Sequence, residues 1–291
     1  MKKMVVLLLG VVLALGLTGC GQDKKADNNA SSGAESNASA AVKTNEGVAA
    51  PAADELLTKL TDAMKDLKSL SMTATSKQHL VIKVGEDTQE QNIDMEIKSD
   101  IIQDPLSMKQ ELHMAMGDLG NQDVTQYITA DGIYMLTGGS WVKLTDETMI
   151  ATLKDAAKDT ADATQQIEQF KTIAGEMKVT EEGGDYVLKA NLSGDNMKEL
   201  AKSLLSQNGG ENQAETMAVL DQMNIDNINI VYSINKETYL PSKMSVEMNM
   251  DMEAEGQQVS MEMKMDSAFS KFNEIDAIEV PQEALDNAIV Q

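Results

Sequence analysis

The chain has no arginine and a single cysteine, Cys20, among 291 residues. All 24 basic residues are therefore lysines, set against 47 aspartates and glutamates, for a net charge of −23. Nucleic-acid binding needs a basic face to neutralise phosphates, so this composition excludes that class. The bidentate guanidinium clamp for carboxylates and phosphates is missing too, which leaves lysines and backbone amides to hold any anion. One cysteine makes no internal disulfide, so stability has to come from an apolar core. Aromatics are scarce, at one Trp, five Tyr and three Phe, which disfavours a sugar-binding surface of stacked rings. After residue 19 no apolar run approaches the roughly 20 residues that span a bilayer.

What is present begins with Lys2 and Lys3, then an apolar run from Met4 to Gly19 that ends Leu17-Thr18-Gly19-Cys20. A charged start, a short apolar core and small residues at the cut describe a secretory signal. The leucine three residues before the cysteine and the polar stretch after it make a bacterial lipobox. The expectation is a signal peptide over 1–19 and a mature chain that starts at an acylated Cys20. A plain signal with an incidental cysteine is the alternative. Several acyl (palmitate-type) chains on one residue anchor stably where one alone is marginal. The expected location is the bacterial cell membrane, lipid-anchored on its extracytoplasmic side.

Residues 20–52 hold Ala, Ser, Asn, Asp and Gly with almost no large apolar side chain. Such a stretch cannot bury a core and reads as a disordered tether, with an r.m.s. reach of roughly 30 Å and an extended limit of about 100 Å. Residues 53–291 read as one domain, since no Pro/Gly/Ser linker divides them.

Within that domain, Asp54 is expected to cap a helix with Leu56, Leu57, Leu60, Met64 and Leu67 on one face. Strand patterns follow around Met72–Val84, Ile93–Ile101, Leu106–Met116, Val124–Thr129, Ile133–Leu136 and Trp141–Leu144, separated by Gly, Asp and Pro turns. Residues 146–174 read as helix. Strands near 177–180 and 185–192 precede helical stretches at 195–205 and 211–223. The stretch Asp221–Asn229 has a faint likeness to a calcium loop, but lacks its sixth-position glycine and closing glutamate; it reads as a helix-to-strand turn. Ile228–Ile234 alternates. Last come two strands with methionine on every second position: Met244, Val246, Met248, Met250, Met252, then Val259, Met261, Met263, Met265.

These patterns predict an α+β fold: a large curved antiparallel sheet, one face wet and one apolar, with helices packed in its concave face. The methionines, 21 in all, have three readings. They form an ordinary core, an adaptable apolar surface for a hydrophobic ligand, or a thioether site for Cu(I). The ligand surface would comprise Met95, Ile97, Met108, Leu112, Met114, Ile230, Tyr232, Met248, Met250, Met261 and Met263. Catalytic signatures are absent: there is no Gly-x-Ser-x-Gly, His-Glu-x-x-His, Walker loop or Ser-x-x-Lys. His79 and His113 sit off the apolar alternation, as solvated strand residues. No enzyme, no metal and no cofactor are expected.

Several short stretches carry a likeness. They are the lipobox at Cys20, Leu67-Lys68-Ser69-Leu70-Ser71-Met72, the hairpin Asp131-Gly132-Ile133-Tyr134 to Gly139-Ser140-Trp141-Val142-Lys143, Thr238-Tyr239-Leu240-Pro241-Ser242-Lys243 and Phe269-Ser270-Lys271-Phe272-Asn273-Glu274. With this order of elements the chain resembles the LolA/LolB and LppX/LprG-like lipoprotein superfamily, and within it an uncharacterised group from Gram-positive and related bacteria. The resemblance implies a half-barrel sheet around helices, with an apolar pocket for acyl chains. It departs from LolA in lacking that family's arginine, so a general lipid-like ligand is expected rather than lipoprotein cargo. Expected partners are thus the membrane, through acylated Cys20, and a lipid-like molecule. A filled-core envelope scaffold that uses its acidic outer face is the alternative.

Overall fold

The structure, a computed structural model, describes residues 50–161, 163–194, 223–254 and 257–290. The signal segment, Cys20 and most of the tether lie outside these residues. So do the expected helices at 195–205 and 211–223, except Met223.

Helix α1 (Ala53–Lys65) buries Leu56, Leu57, Leu60 and Met64 at helical spacing. Asp54 and Glu55 stand in its first turn and Lys65 in its last, the favourable order for the helix dipole. Asp54 is not the cap: Ala52 holds that position, without a side-chain hydrogen bond. Strands β1 (Ser69–Val84), β2 (Asp87–Ile102), β3 (Ser107–Ala115), β4 (Asn121–Thr129), β5 (Gly132–Thr137) and β6 (Ser140–Lys143) form an antiparallel meander. Gly85 takes φ +64° at the first hairpin tip, where a side chain would be strained. The expected single helix over 146–174 is instead α2 (Glu147–Ala161), α3 (Ala163–Lys171) and a 3₁₀ turn at Ala174–Glu176.

Strands β7 (Lys178–Glu182), β8 (Asp185–Ser193), β9 (Met223–Asn235), β10 (Pro241–Ala254) and β11 (Gln257–Ser270) form a second antiparallel meander. The predicted turn at 221–229 is therefore strand from Met223 onward, because its alternation continues into Ile228 and Ile230. Helix α4 (Gln282–Asn287) and β12 (Ile289–Val290) end the chain, β12 lying parallel to β6. One open sheet results, in the order β12-β6-β5-β4-β3-β2-β1-β11-β10-β9-β8-β7. The two meanders join where β1 pairs with β11, from Ser71 opposite Ser270 to Val84 opposite Gln257.

Helices α1, α2 and α3 cover the inner face, packing its two ends separately. Helices α1 and α3 pack Leu56, Leu60 and Ile167 onto Leu188, Tyr232 and Ile234 of β8 and β9. At the other end α2 sets Ile150, Leu153 and Ala157 against Ile101, Met108, Ile128 and Ile133. The outer face is not uniformly wet, as the alternation predicted. Tyr127, Tyr134 and Trp141 are buried there with Ala284, Ile278 and Val280 of the C-terminal segment.

Candidate functional site

Strand pairing puts the methionine stripes side by side. Met250 stands opposite Met261 and Met248 opposite Met263 on β10 and β11. Leu80 and Gln78 of β1 continue those two rows, opposite Met261 and Met263. Across β2 and β3, Met95 faces Met114 and Ile97 faces Leu112. The register therefore carries eight of the expected ligand residues onto the middle of the inner face, between the two helix-covered cores. Met114 and Met261 are buried there, while Met95, Ile97, Leu112, Met248, Met250 and Met263 are half-buried. Met248 also touches the cluster of Ile173, Ala190, Leu192, Ile228 and Ile230.

The other three expected residues stand apart. Met108 is sealed under α2, at 5% exposure. Ile230 and Tyr232 lie beneath α1, α3 and the 3₁₀ turn. A void of about 10 Å³ lies beside them, bordered by Leu57, Phe170, Ile230 and Tyr232, barely room for one water. Burial pushes the Tyr232 phenol well above its ordinary pKa. These positions follow the same alternation as the rest. What separates them is where the helices land, which strand periodicity does not encode.

The outer face has a different character. Two open clefts of about 240 and 180 Å³ run between its side chains, one beside Glu96, Glu111, His113 and Asp123, the other beside Lys98, Asp100, Lys109 and Lys271. Their charges largely pair. Lys109 Nζ reaches Glu111 at 2.7 Å and His113 Nδ1 reaches Asp123 at 2.5 Å. Donating this hydrogen bond to the Asp123 carboxylate raises the pKa of His113 above its ordinary value. His79 meets Asn92 in the same way, Nδ1 to Oδ1 at 2.9 Å. Among the described residues no group of three or more His, Cys, Asp or Glu side chains is placed to hold a metal ion. No helix among them is long and apolar enough to cross a membrane.

A family model described as a family of unknown function, DUF6612, matches residues 52–289. No curated protein is significantly similar in sequence. Similar solved structures include LprF from Mycobacterium bovis, 12% identical, covering 80% of this chain and 97% of that one at a TM-score of 0.39. A LolA superfamily protein from Nitrosomonas europaea is 8% identical, with 80% and 97% covered and a TM-score of 0.22. A DUF1329 family protein from Desulfovibrio piger is 9% identical, with 80% and 95% covered and a TM-score of 0.23.

Proposed function

We propose that this chain, which belongs to the DUF6612 family of unknown function, is a membrane-anchored lipoprotein that binds a lipid-like ligand. The ligand lies along the methionine-bearing middle of the inner face. One observation carries this reading. Between two cores already filled by helices, the sheet presents half-buried apolar side chains in two groups on either side of β1, Met95, Ile97 and Leu112 on β2 and β3 and Met248, Met250 and Met263 on β10 and β11, four of the six being methionine. A permanent core would use the stiffer valine and isoleucine, whereas methionine adapts to irregular guests. Burying an acyl chain is worth about 0.8 kcal/mol per methylene before ordering costs, so a ten-carbon chain suffices for useful affinity. No bond-making chemistry is proposed. The acylated Cys20 and its tether keep the domain within a few tens of ångströms of the bilayer that would supply the ligand.

Mass spectrometry of the full chain purified from membranes in a non-ionic detergent tests this. Denaturing spectra read the covalent acyl adduct on Cys20. Native spectra add any molecule bound without a covalent bond. We expect both an adduct and a co-purifying, exchangeable lipid. An adduct with no exchangeable lipid in repeated preparations sinks the binding function and leaves a filled-core scaffold.

A further inference from the structure

The inner face of β1–β4, β10 and β11 includes polar side chains, and their chemistry is restricted. Apart from Asp87 at the β1–β2 hairpin tip, every one is a glutamine or a serine. The lysines, the histidines and all other acids of these strands stand on the outer register. Near the edge of the α2 core, a row of three neutral groups crosses adjacent strands: Ser99 opposite Gln110, and Gln110 opposite Gln126. Gln110 Nε2 donates to Ser99 Oγ at 3.4 Å. Gln126 Nε2 is shielded from solvent and donates to no acceptor among the described residues. Leaving a buried donor unpaired costs the full desolvation of that group. Next to it, on the side away from α2, lie Val124 and Leu112, which open onto Ile97 and Met95 of the methionine surface.

We propose that this row receives the ligand's polar group, and that the group is a neutral acyl ester whose carbonyl oxygen accepts from Gln126 Nε2. The assignment rests on the lipid-like ligand proposed above and narrows it. An ionised carboxylate or phosphate would be buried here with no cation on the inner register of these strands, at a heavy desolvation cost. An ester carbonyl needs one neutral donor and asks for no counter-ion. With the carbonyl at Gln126, the acyl chain runs over Val124, Leu112 and Ile97 toward Met95 and Met114.

The experiment uses the full acylated chain in a detergent that has no carbonyl group, with two probes of equal chain length: methyl palmitate carrying a ¹³C carbonyl, and palmitate. The ester is expected to bind more tightly, and its carbonyl infrared band to move to lower wavenumber on binding. Gln126→Leu abolishes that movement and weakens ester binding about three- to tenfold, the worth of one neutral hydrogen bond. Gln122→Leu, two residues along the same face of β4, changes neither. If Gln126→Leu does not fold, Gln126→Met carries the same expectations. Palmitate binding as tightly as its ester, or an ester band indifferent to the Gln126 variants, overturns the assignment and leaves the lipid-like ligand standing. Binding of neither probe overturns both.

Discussion

Tyr127 and Trp141 lie with ring centroids 6.0 Å apart on the outer face of the sheet, in a cluster that Ala284 of α4 completes. The C-terminal segment thus serves as a lid over aromatic surface that a strictly two-faced sheet would leave wet. Ala284 is fully buried, and Trp141 is the only tryptophan. Ala284→Glu should lift the segment, because the site has room for neither a larger side chain nor a charge. We expect tryptophan emission to move to longer wavelength and urea unfolding to show a loss of about 2 kcal/mol.

The packed ends and the open middle of the inner face should respond differently to truncation. Leu60 of α1 is fully buried against β8 and β9, and Leu60→Ala is expected to cost about 2–5 kcal/mol in chemical denaturation. Met263 is half-buried. Met263→Ala should cost less than about 2 kcal/mol while reducing the lipid recovered with the protein. An equal stability loss at both positions would mean that the middle is packed core.

Much of the architecture is legible in the sequence, because alternation at period two marks each strand and its inward face. The methionine hairpin announces itself this way, while the turns at Gly85 and Asp131-Gly132 are marked by their glycines and Pro241 marks a strand entry. What escapes is information held between elements. Met108 and Met95 obey the same alternation, yet α2 seals one and not the other. The aromatic cluster left a signal that alternation alone misreads: Tyr127 beside Ile128 and Ile133 beside Tyr134 put bulk on both faces of adjacent strands, which marks burial on both sides. The unpaired amide of Gln126 depends on its neighbours' geometry and has no counterpart in a linear pattern.

Asn273 closes the joint between the helix, the sheet and the C-terminal segment. Its Oδ1 accepts from the Lys68 backbone N–H at 2.7 Å, and its own N–H donates to the Ser69 carbonyl at 2.8 Å. Its φ of 60° lies in the left-handed region that asparagine tolerates and alanine resists. Asn273→Ala should lower stability by about 1–2 kcal/mol, and Asn273→Gly by less, since glycine loses the hydrogen bond without strain. Paired urea titrations of the two variants decide it.

His113 should titrate above its ordinary value of 6.5 because of its contact with Asp123. A raised folded pKa means that the pair's stabilisation is complete below about pH 6.5 and is lost as pH rises through the higher folded value. NMR of the imidazole Cε1 proton reads this directly. Asp123→Asn should return the midpoint toward the ordinary value and flatten that part of the stability profile. An unchanged midpoint would show that the contact does not persist in solution.

Cys20→Ser removes the one residue proposed for acylation. The variant should show no acyl mass adduct and no labelled fatty acid after metabolic feeding, while the native chain shows both. An adduct that survives the substitution would refute lipidation at this position.

The seam between β1 and β11 has a consequence in time. Lys68 and Asn273, which clasp the lower end of that seam, are 205 residues apart in sequence. A ribosome finishes β1 to β6 long before β11 exists, and local meander contacts close faster than distant ones. Until the last strands arrive, β1 is an open edge with a full row of unpaired amides and carbonyls. Such an edge invites a neighbouring chain. The outer register of β1 places Lys77 and Lys83 along that waiting edge, and charge on an edge is a recognised guard against mispairing. The most vulnerable moment in this protein's life is therefore the interval before its own C-terminal hairpin docks.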